Sequence, residues 1–440
     1  MPRRATVSLV TGVLAVVTAG VLVRAAVVVG DPQVSSSAAS NMETTVLGFY
    51  EAVNRAIRSG EIASLEALVA PGFVSHTLVP ATTLDRAGLA RSLIAIRTTF
   101  PDAQLVVDDL FAAGDRAIVR VSLHGVSRGA FVGLPLGTTP AIWGSLDGVR
   151  VSDERVVELW GGPSPPALLE PLGLLSLGAR LPTRQVVALE RLTYSPRSTG
   201  QAQADETRVL FVDSGALTIA LDSRSPKPAL LSFPGTSDAA GLPRTIAQGS
   251  ERTLGAGMLV ALLEGSRYAI RNNGAEPAEG FALTAFTLDA PGHVDPAYPD
   301  ARLSANGPAV DDPGADAIHA TDGKAMMPVA GGLTVALPSA PATVRVGRAT
   351  LAPRGAIALG KAAGPALLYV EEGTLDLETT NGTAWVHRAV DETSRDVAIG
   401  TLAAGDGALV QAGTTTALRN ATDSPTVVFV VTITPDDATT

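Results

Sequence analysis

The residues best typed and spaced for chemistry lie in Ala141–Trp160 (AIWGSLDGVRVSDERVVELW), where a carboxylate stands among aromatic side chains. Alternation from Ala141 puts Trp143, Ser145, Asp147 and Val149 on one face of a strand, with Ile142, Gly144 and Leu146 on the other. Ser152-Asp153-Glu154 is a turn-forming cluster. The stretch therefore predicts a β-hairpin whose return strand carries Val156, Glu158 and Trp160 on one side. A carboxylate beside Trp in a sheet that lines a cavity is where an acid or base of raised pKa is expected. On a sheet edge the same Asp would face water, and the pattern alone leaves both readings open. Removing a proton α to a carbonyl needs a base tuned near the operating pH, and burial raises a carboxylate by up to several units. Such help is worth about 10²–10⁴-fold. The enolate also needs a donor, for which His76, Tyr50, Trp143 and Ser145 have the right chemistry.

The elements that must position these groups precede them. Glu43–Ser59 has Val46, Phe49, Tyr50, Val53 and Ile57 at helical spacing and ends at Gly60, a C-cap residue. A short helix is predicted at Ile62–Val69, closed by Pro71-Gly72. A third is predicted at Leu84–Thr99, with Leu89, Leu93, Ile96 and Phe100 on one stripe. Phe100-Pro101-Asp102 stops that helix, since Pro cannot continue it and Asp suits a turn. The period then becomes two, with strands at Gln104–Phe111, Ala117–Gly125 and Gly129–Phe131 before the hairpin. Three helices followed by a curved antiparallel sheet make an α+β domain of about 120 residues.

An ordered set of motifs now carries a resemblance. It comprises a Phe-Tyr-Glu helix, Phe73-Val74-Ser75-His76, Phe100-Pro101-Asp102 and Gly114-Asp115-Arg116. Then follow Gly125…Gly129-Ala130-Phe131-Val132-Gly133-Leu134-Pro135 and Asp147…Arg150-Val151…Glu158-Leu159-Trp160. Over residues 43–162 the chain resembles the SnoaL-like polyketide cyclase (ester cyclase) family of the nuclear transport factor 2-like superfamily. The resemblance implies a cone-shaped α+β barrel with an apolar pocket and an acid/base Asp that drives an intramolecular aldol ring closure. Asp147 occupies the matching strand position, and His76 falls where many members carry a pocket His. The expected catalytic pair is therefore Asp147 and His76, and the expected pocket is lined by Tyr50, Phe100, Trp143, Ser145 and Trp160. One motif departs from the family. Gly125-Val126-Ser127 stands where members often carry Gly-Thr-His, and His124 alternates to the opposite face from Leu123.

Composition bounds the rest. At 440 residues the chain has room for about two to four domains. Charged residues are 17 %, below the roughly 25 % of soluble domains. The net charge is −10 and no basic run follows the N-terminus, which argues against nucleic acid as a partner. There is no cysteine, so thiolate metal sites, thiol catalysis and disulfides are excluded. Arg3 and Arg4 precede the uncharged run Ala5–Val23, the pattern of an export signal. At roughly 19 residues that run also suffices to span a bilayer. Residues 1–30 are thus expected to be a signal peptide or a membrane anchor, with Ser37-Ala38-Ala39 a cleavage candidate. Either way the remainder is expected outside the cytoplasm, and contact with membrane is expected through this segment only. Residues 31–42 read as a tether.

Residues 163–182 read as a Pro-rich connector, after which helix signals nearly vanish. Two blocks look like copies of one all-β unit, 183–290 and 333–436, separated by a Pro/Gly/Asp-rich linker at 291–332. Arg208–Asp222 with Leu254–Asn273 makes the first pair, and Leu367–Leu377 with Leu402–Asn420 the second. These pairs resemble the two motifs of the cupin family. Gly215, Gly257, Gly265 and Asn272 fit in one copy, and Gly373, Gly405, Gly413 and Asn420 in the other. The family's metal-ligand slots instead hold Arg208, Tyr268 and Thr416. The first copy has no histidine and the second only His387, too few for a His₃Glu site. The resemblance implies two cupin-type barrels without metal, with Arg208, Tyr268 and Thr416 facing the former metal cavities.

Two functions fit this architecture. One is an exported protein that binds a hydrophobic small molecule in the cone, with cyclase or isomerase chemistry through Asp147 and no cofactor. The other is a non-catalytic extracytoplasmic binding or scaffold protein whose β-units assemble a homo-oligomer.

Overall fold

A computed structural model describes residues 36–76, 85–138, 140–161, 166–181, 185–204, 206–233, 244–287, 319–320, 324–334, 337–338, 341–389 and 394–436. The signal or anchor segment and most of the 291–332 linker lie outside them. No described helix is long and apolar enough to cross a membrane.

The N-terminal domain holds α1 (Ser36–Ser59), α2 (Ala63–Leu68) and α3 (Arg86–Thr99) against one sheet. Helix α1 starts seven residues before Glu43, so half of the expected tether is helical. It ends where Gly60, at φ +76°, donates its N–H to Ala56 O. The strands are β1 (Val69–Ser75), β2 (Gln104–Ala113), β3 (Arg116–Val126), the short β4 (Ala130–Phe131) and β5 (Leu134–Pro135), β6 (Pro140–Ser152) and β7 (Arg155–Trp160). The five long strands order as β1-β7-β6-β3-β2, with β1 parallel to β7 and the rest antiparallel. Pro71-Gly72 does not close a helix but lies within β1. Alternation holds along β3 and β6. Val119, Val121, Asp147 and Val149 are buried against the helices, whereas Ile118, Ile142 and Leu146 face outward.

The remaining chain forms two β-units, each of two facing sheets; the closed barrels expected from the cupin resemblance are not seen among the described residues. In the first unit the large sheet centres on Thr207–Ser214, flanked by Leu259–Leu262 and Ala278–Thr287. In the second it centres on Ala366–Glu372, flanked by Gly407–Val410 and Thr426–Pro435. The repeat read from the sequence is present in the backbone. Gly215, Gly257 and Gly265 have φ between +73° and +86°, and their counterparts Gly373, Gly405 and Gly413 between +81° and +94°. A side chain there would be strained in either copy.

Two segments depart from the expected linkers. The Pro-rich connector contains β8 (Ala167–Arg180), which precedes the first unit yet pairs with Pro341–Leu351 of the second. Lys324–Thr334 precedes the second unit yet pairs with Gln185–Tyr194 of the first. The units thus exchange edge strands. Their large sheets pack face to face around Phe281 and Phe429, whose rings stack at 3.9 Å, with Phe211–Phe429 and Tyr369–Phe281 contacts on either side. Thr426–Pro435 is therefore apolar on both faces, because one face fills its own unit and the other the junction.

The N-terminal domain is joined to the second unit. Phe131, Val132, Leu134 and Leu136 of the β4–β5 hairpin sit in that unit's core. Gly137 donates its N–H to Ala358 O, Gly360 donates to Pro135 O, and Thr432 donates to Val132 O.

Candidate active site

Tyr50 reaches inward from α1, and Ser145 and Asp147 from alternate positions of β6, so helix-on-sheet packing brings the three together. Asp147 is 1 % exposed. Its Oδ2 accepts a hydrogen bond from the Tyr50 hydroxyl at 2.7 Å and its Oδ1 one from Ser145 Oγ at 2.7 Å. Its cross-strand partner is Val119, and Ser145 faces Val121. Burial alone would discourage a carboxylate here, and the two hydroxyl donors oppose that by stabilising the charge. Burial, then the Asp147 charge and hydrogen bond, hold the Tyr50 phenol well above its ordinary pKa, so Tyr50 stays a donor at any working pH.

Gly161 completes the surround. It has φ +89°, and a Cβ there would stand 2.6 Å from Leu146 O and 2.9 Å from Asp147 Oδ1. Only glycine lets the backbone close over the carboxylate. The sequence reading missed this residue, although a glycine directly after Trp160 at a strand end is a visible signal. Trp143 packs on Phe100 at 4.9 Å between ring centroids. Its indole N–H is buried without an acceptor among the described residues. One face of β6 therefore carries an indole donor, a hydroxyl and a carboxylate over about 13 Å.

Two residues expected beside Asp147 are elsewhere. Trp160 pairs with Gly148, whose face looks away from the helices, and His76 stacks on Trp160 at 4.7 Å with the rings 4° apart. His76 Nε2 lies 3.7 Å from Glu158, which pairs with Arg150. The expected common face of Val156, Glu158 and Trp160 fails for a local reason. A bulge between Arg150 and Val151 shifts the register, so Val156 points inward while Glu158 and Trp160 point outward. His124 lies on the outer face too, 3.3 Å from Ser122 Oγ.

The cupin-slot residues are all buried. Arg208 donates from Nε to Thr284 Oγ1 at 3.2 Å. Burial works against the charge of Arg208, but Tyr268, Glu190 and Tyr194 around it outweigh that and raise its pKa. This is an internally balanced cluster. Thr416 lies apart in the second unit, between Leu359 and Thr379. No group of three metal-ligating side chains occurs among the described residues.

The interior onto which Asp147 points is a packed core that includes Val46, Phe49, Val53, Leu123 and Val149. Neither a cleft of about 500 Å³ against the second β-unit nor one of about 280 Å³ between the β-units is lined by Asp147.

Comparison with known proteins fits the N-terminal geometry: the family model for SnoaL-like polyketide cyclase matches residues 44–164. Residues 44–164 are a SnoaL-like domain. IdmH of Streptomyces antibioticus, described as a candidate polyketide cyclase, is 30 % identical and is matched over 28 % of this chain and 91 % of its own, at a TM-score of 0.25. A candidate polyketide cyclase of Bacillus cereus ATCC 10987 is 22 % identical over 30 % of this chain and 81 % of its own, at 0.26. AclR of Streptomyces galilaeus, described as a candidate hydroxylase, is 22 % identical over 29 % and 76 %, at 0.24. No curated protein matches the chain. The SnoaL-like match stops short of the β-units.

Proposed function

We propose that the SnoaL-like domain binds a hydrophobic, carbonyl-bearing small molecule and performs cyclase or isomerase chemistry on it through Asp147. The observation that carries this reading is the Asp147 carboxylate, buried among valines and clamped by Tyr50 and Ser145. In the reaction Asp147 accepts the proton from the carbon α to a carbonyl. The C–H electron pair passes to the carbonyl oxygen, and an enolate forms. In ring closure the enolate carbon bonds to a second carbonyl carbon of the same molecule, and the proton returns to the new alkoxide. In isomerisation the proton returns to another carbon of the conjugated system. The unpartnered Trp143 N–H, further along the same strand face, is a donor for a second polar group at the far end of the bound molecule. His76 has no part in this scheme. The test is a thermal-shift screen of lipophilic ketones on the full chain. Ketones that raise the melting temperature, with the shift reduced in Trp143→Phe, support the reading. A panel that leaves melting unchanged contradicts it.

A second reading, a non-catalytic binding or scaffold protein, draws on a different observation. The domain's own side chains form a packed core on the face that carries Asp147, and neither of the two clefts named above is lined by it. In that case Asp147 is a buried polar tie between α1 and β6. We further propose export as the setting of either function, on the charged and apolar pattern of residues 3–24.

A further inference from the structure

The cleft of about 500 Å³ lies between the SnoaL-like domain and the outer face of the second unit's small sheet. Its size is that of small-molecule sites, which favour junctions between domains. The sheet comprises Ala356–Leu359, Thr415–Arg419, Thr374–Thr380 and Ile399–Ala403, paired in that order. Two rows of cross-strand neighbours form the floor. One runs Ala358, Ala417, Glu378, Ile399; the other runs Ala356, Arg419, Asp376, Thr401. Alanines keep the floor low, and Phe100 and Pro166 also line the cleft.

The charges on this floor are unequally matched. Asp376 accepts from Thr401 Oγ1 at 2.7 Å and has Arg419 as its cross-strand neighbour. Glu378, two residues along, has no hydrogen bond or ion pair among the described residues, and its cross-strand neighbours Ala417 and Ile399 are apolar. Ile399 is 74 % exposed, an unusual position for a large aliphatic side chain. Glu378 therefore stands between two apolar neighbours without a paired cation among the described residues, with two carboxylates to one guanidinium in the lining. From Glu378 to Ala358 is two strand spacings, about 10 Å, the length of two fused rings.

We propose that this cleft binds an organic cation, an apolar body of about two rings carrying one protonated amine. The ammonium pairs with Glu378, and the body lies over Ala417 and Ala358 against Phe100. The cleft shares none of Asp147, Tyr50 and Ser145, so this site stands or falls separately from the catalytic reading.

Isothermal titration of the full chain with 1-naphthylmethylamine, 1-naphthylmethanol and 1-naphthoate tests it, because the three share a body and differ in charge. The amine is expected to bind tightest and the carboxylate weakest. Glu378→Gln is expected to weaken the amine about three- to fivefold, as for a solvent-accessible ion pair, and to leave the alcohol unchanged. Ala417→Phe, at a half-buried floor position, is expected to abolish binding of all three while melting stays near wild type. Absence of binding by any probe, carboxylate binding as tight as the amine, or indifference to either substitution would overturn the proposal.

Discussion

At the scale of single residues, the decisive group is a carboxylate that is buried yet hydrogen-bonded at both oxygens. Tyr50→Phe removes the donor on Oδ2 and leaves a buried acceptor short of a partner. The expected cost is about 1–3 kcal/mol in urea unfolding at neutral pH. The folded-state pKa of Tyr50 is raised, so the stability linked to its titration is fully present below the ordinary phenol value and lost as pH rises above about 10. The penalty of Tyr50→Phe should therefore be smaller near pH 10.5 than near pH 7. A penalty that grows with pH would contradict the assignment. Gly161→Ala is expected to lower the melting temperature, since it adds both strain at positive φ and a clash with Asp147. Much of this site was legible in the sequence. Strict alternation along β6 put Asp147, Ser145 and Trp143 on one face, and Tyr50 fell on the apolar stripe of α1. His76 and Trp160 were misplaced because neither alternation nor family position reveals which way a strand end turns. The bulge that divides Val156 from Glu158 has no glycine or proline to announce it.

At the scale of elements, the β4–β5 hairpin was legible as a motif but not as a contact. Gly129-Ala130-Phe131-Val132-Gly133-Leu134-Pro135 belongs by sequence order to the SnoaL-like domain, yet its apolar side chains fill the second β-unit. A partner some three hundred residues away leaves no local trace. Gly133 and Gly347 are the close-approach points: a Cβ on Gly133 would stand 2.8 Å from Thr434 Cγ2, and one on Gly347 2.5 Å from Val132 Cγ1. Phe131 is 1 % exposed. Phe131→Ala should cost about 3–5 kcal/mol and open the junction to limited proteolysis within residues 127–137. Unchanged stability would mean that the hairpin merely rests on the second unit.

At the scale of the whole molecule, the paired glycines disclosed the repeat, whereas the strand exchange was hidden. Proline-rich stretches read as linkers, because Pro cannot donate in a ladder. Here Pro171 and Pro328 fall at or beside breaks in register, at the borders of the sheets, where a missing N–H is tolerated. Exchange makes each unit depend on a strand that precedes the other. Deleting Ala167–Arg180 should therefore destabilise the distant second unit, seen as loss of hydrogen-exchange protection in Pro341–Leu351. Protection confined to its wild-type pattern would contradict the topology's importance. The histidine inventory carries its own expectation: protein purified without chelators should hold no stoichiometric iron, manganese or zinc by elemental analysis.

The most direct test of the central claim is α-hydrogen exchange of 2-tetralone in D₂O, followed by NMR with the wild-type chain and with Asp147→Asn. The substitution keeps the shape of the side chain and removes its basicity. The account predicts wild-type acceleration over buffer and a drop of about 10²–10⁴-fold in the variant, with both proteins folded. Equal exchange by the two proteins, or none above buffer with wild type, would contradict it.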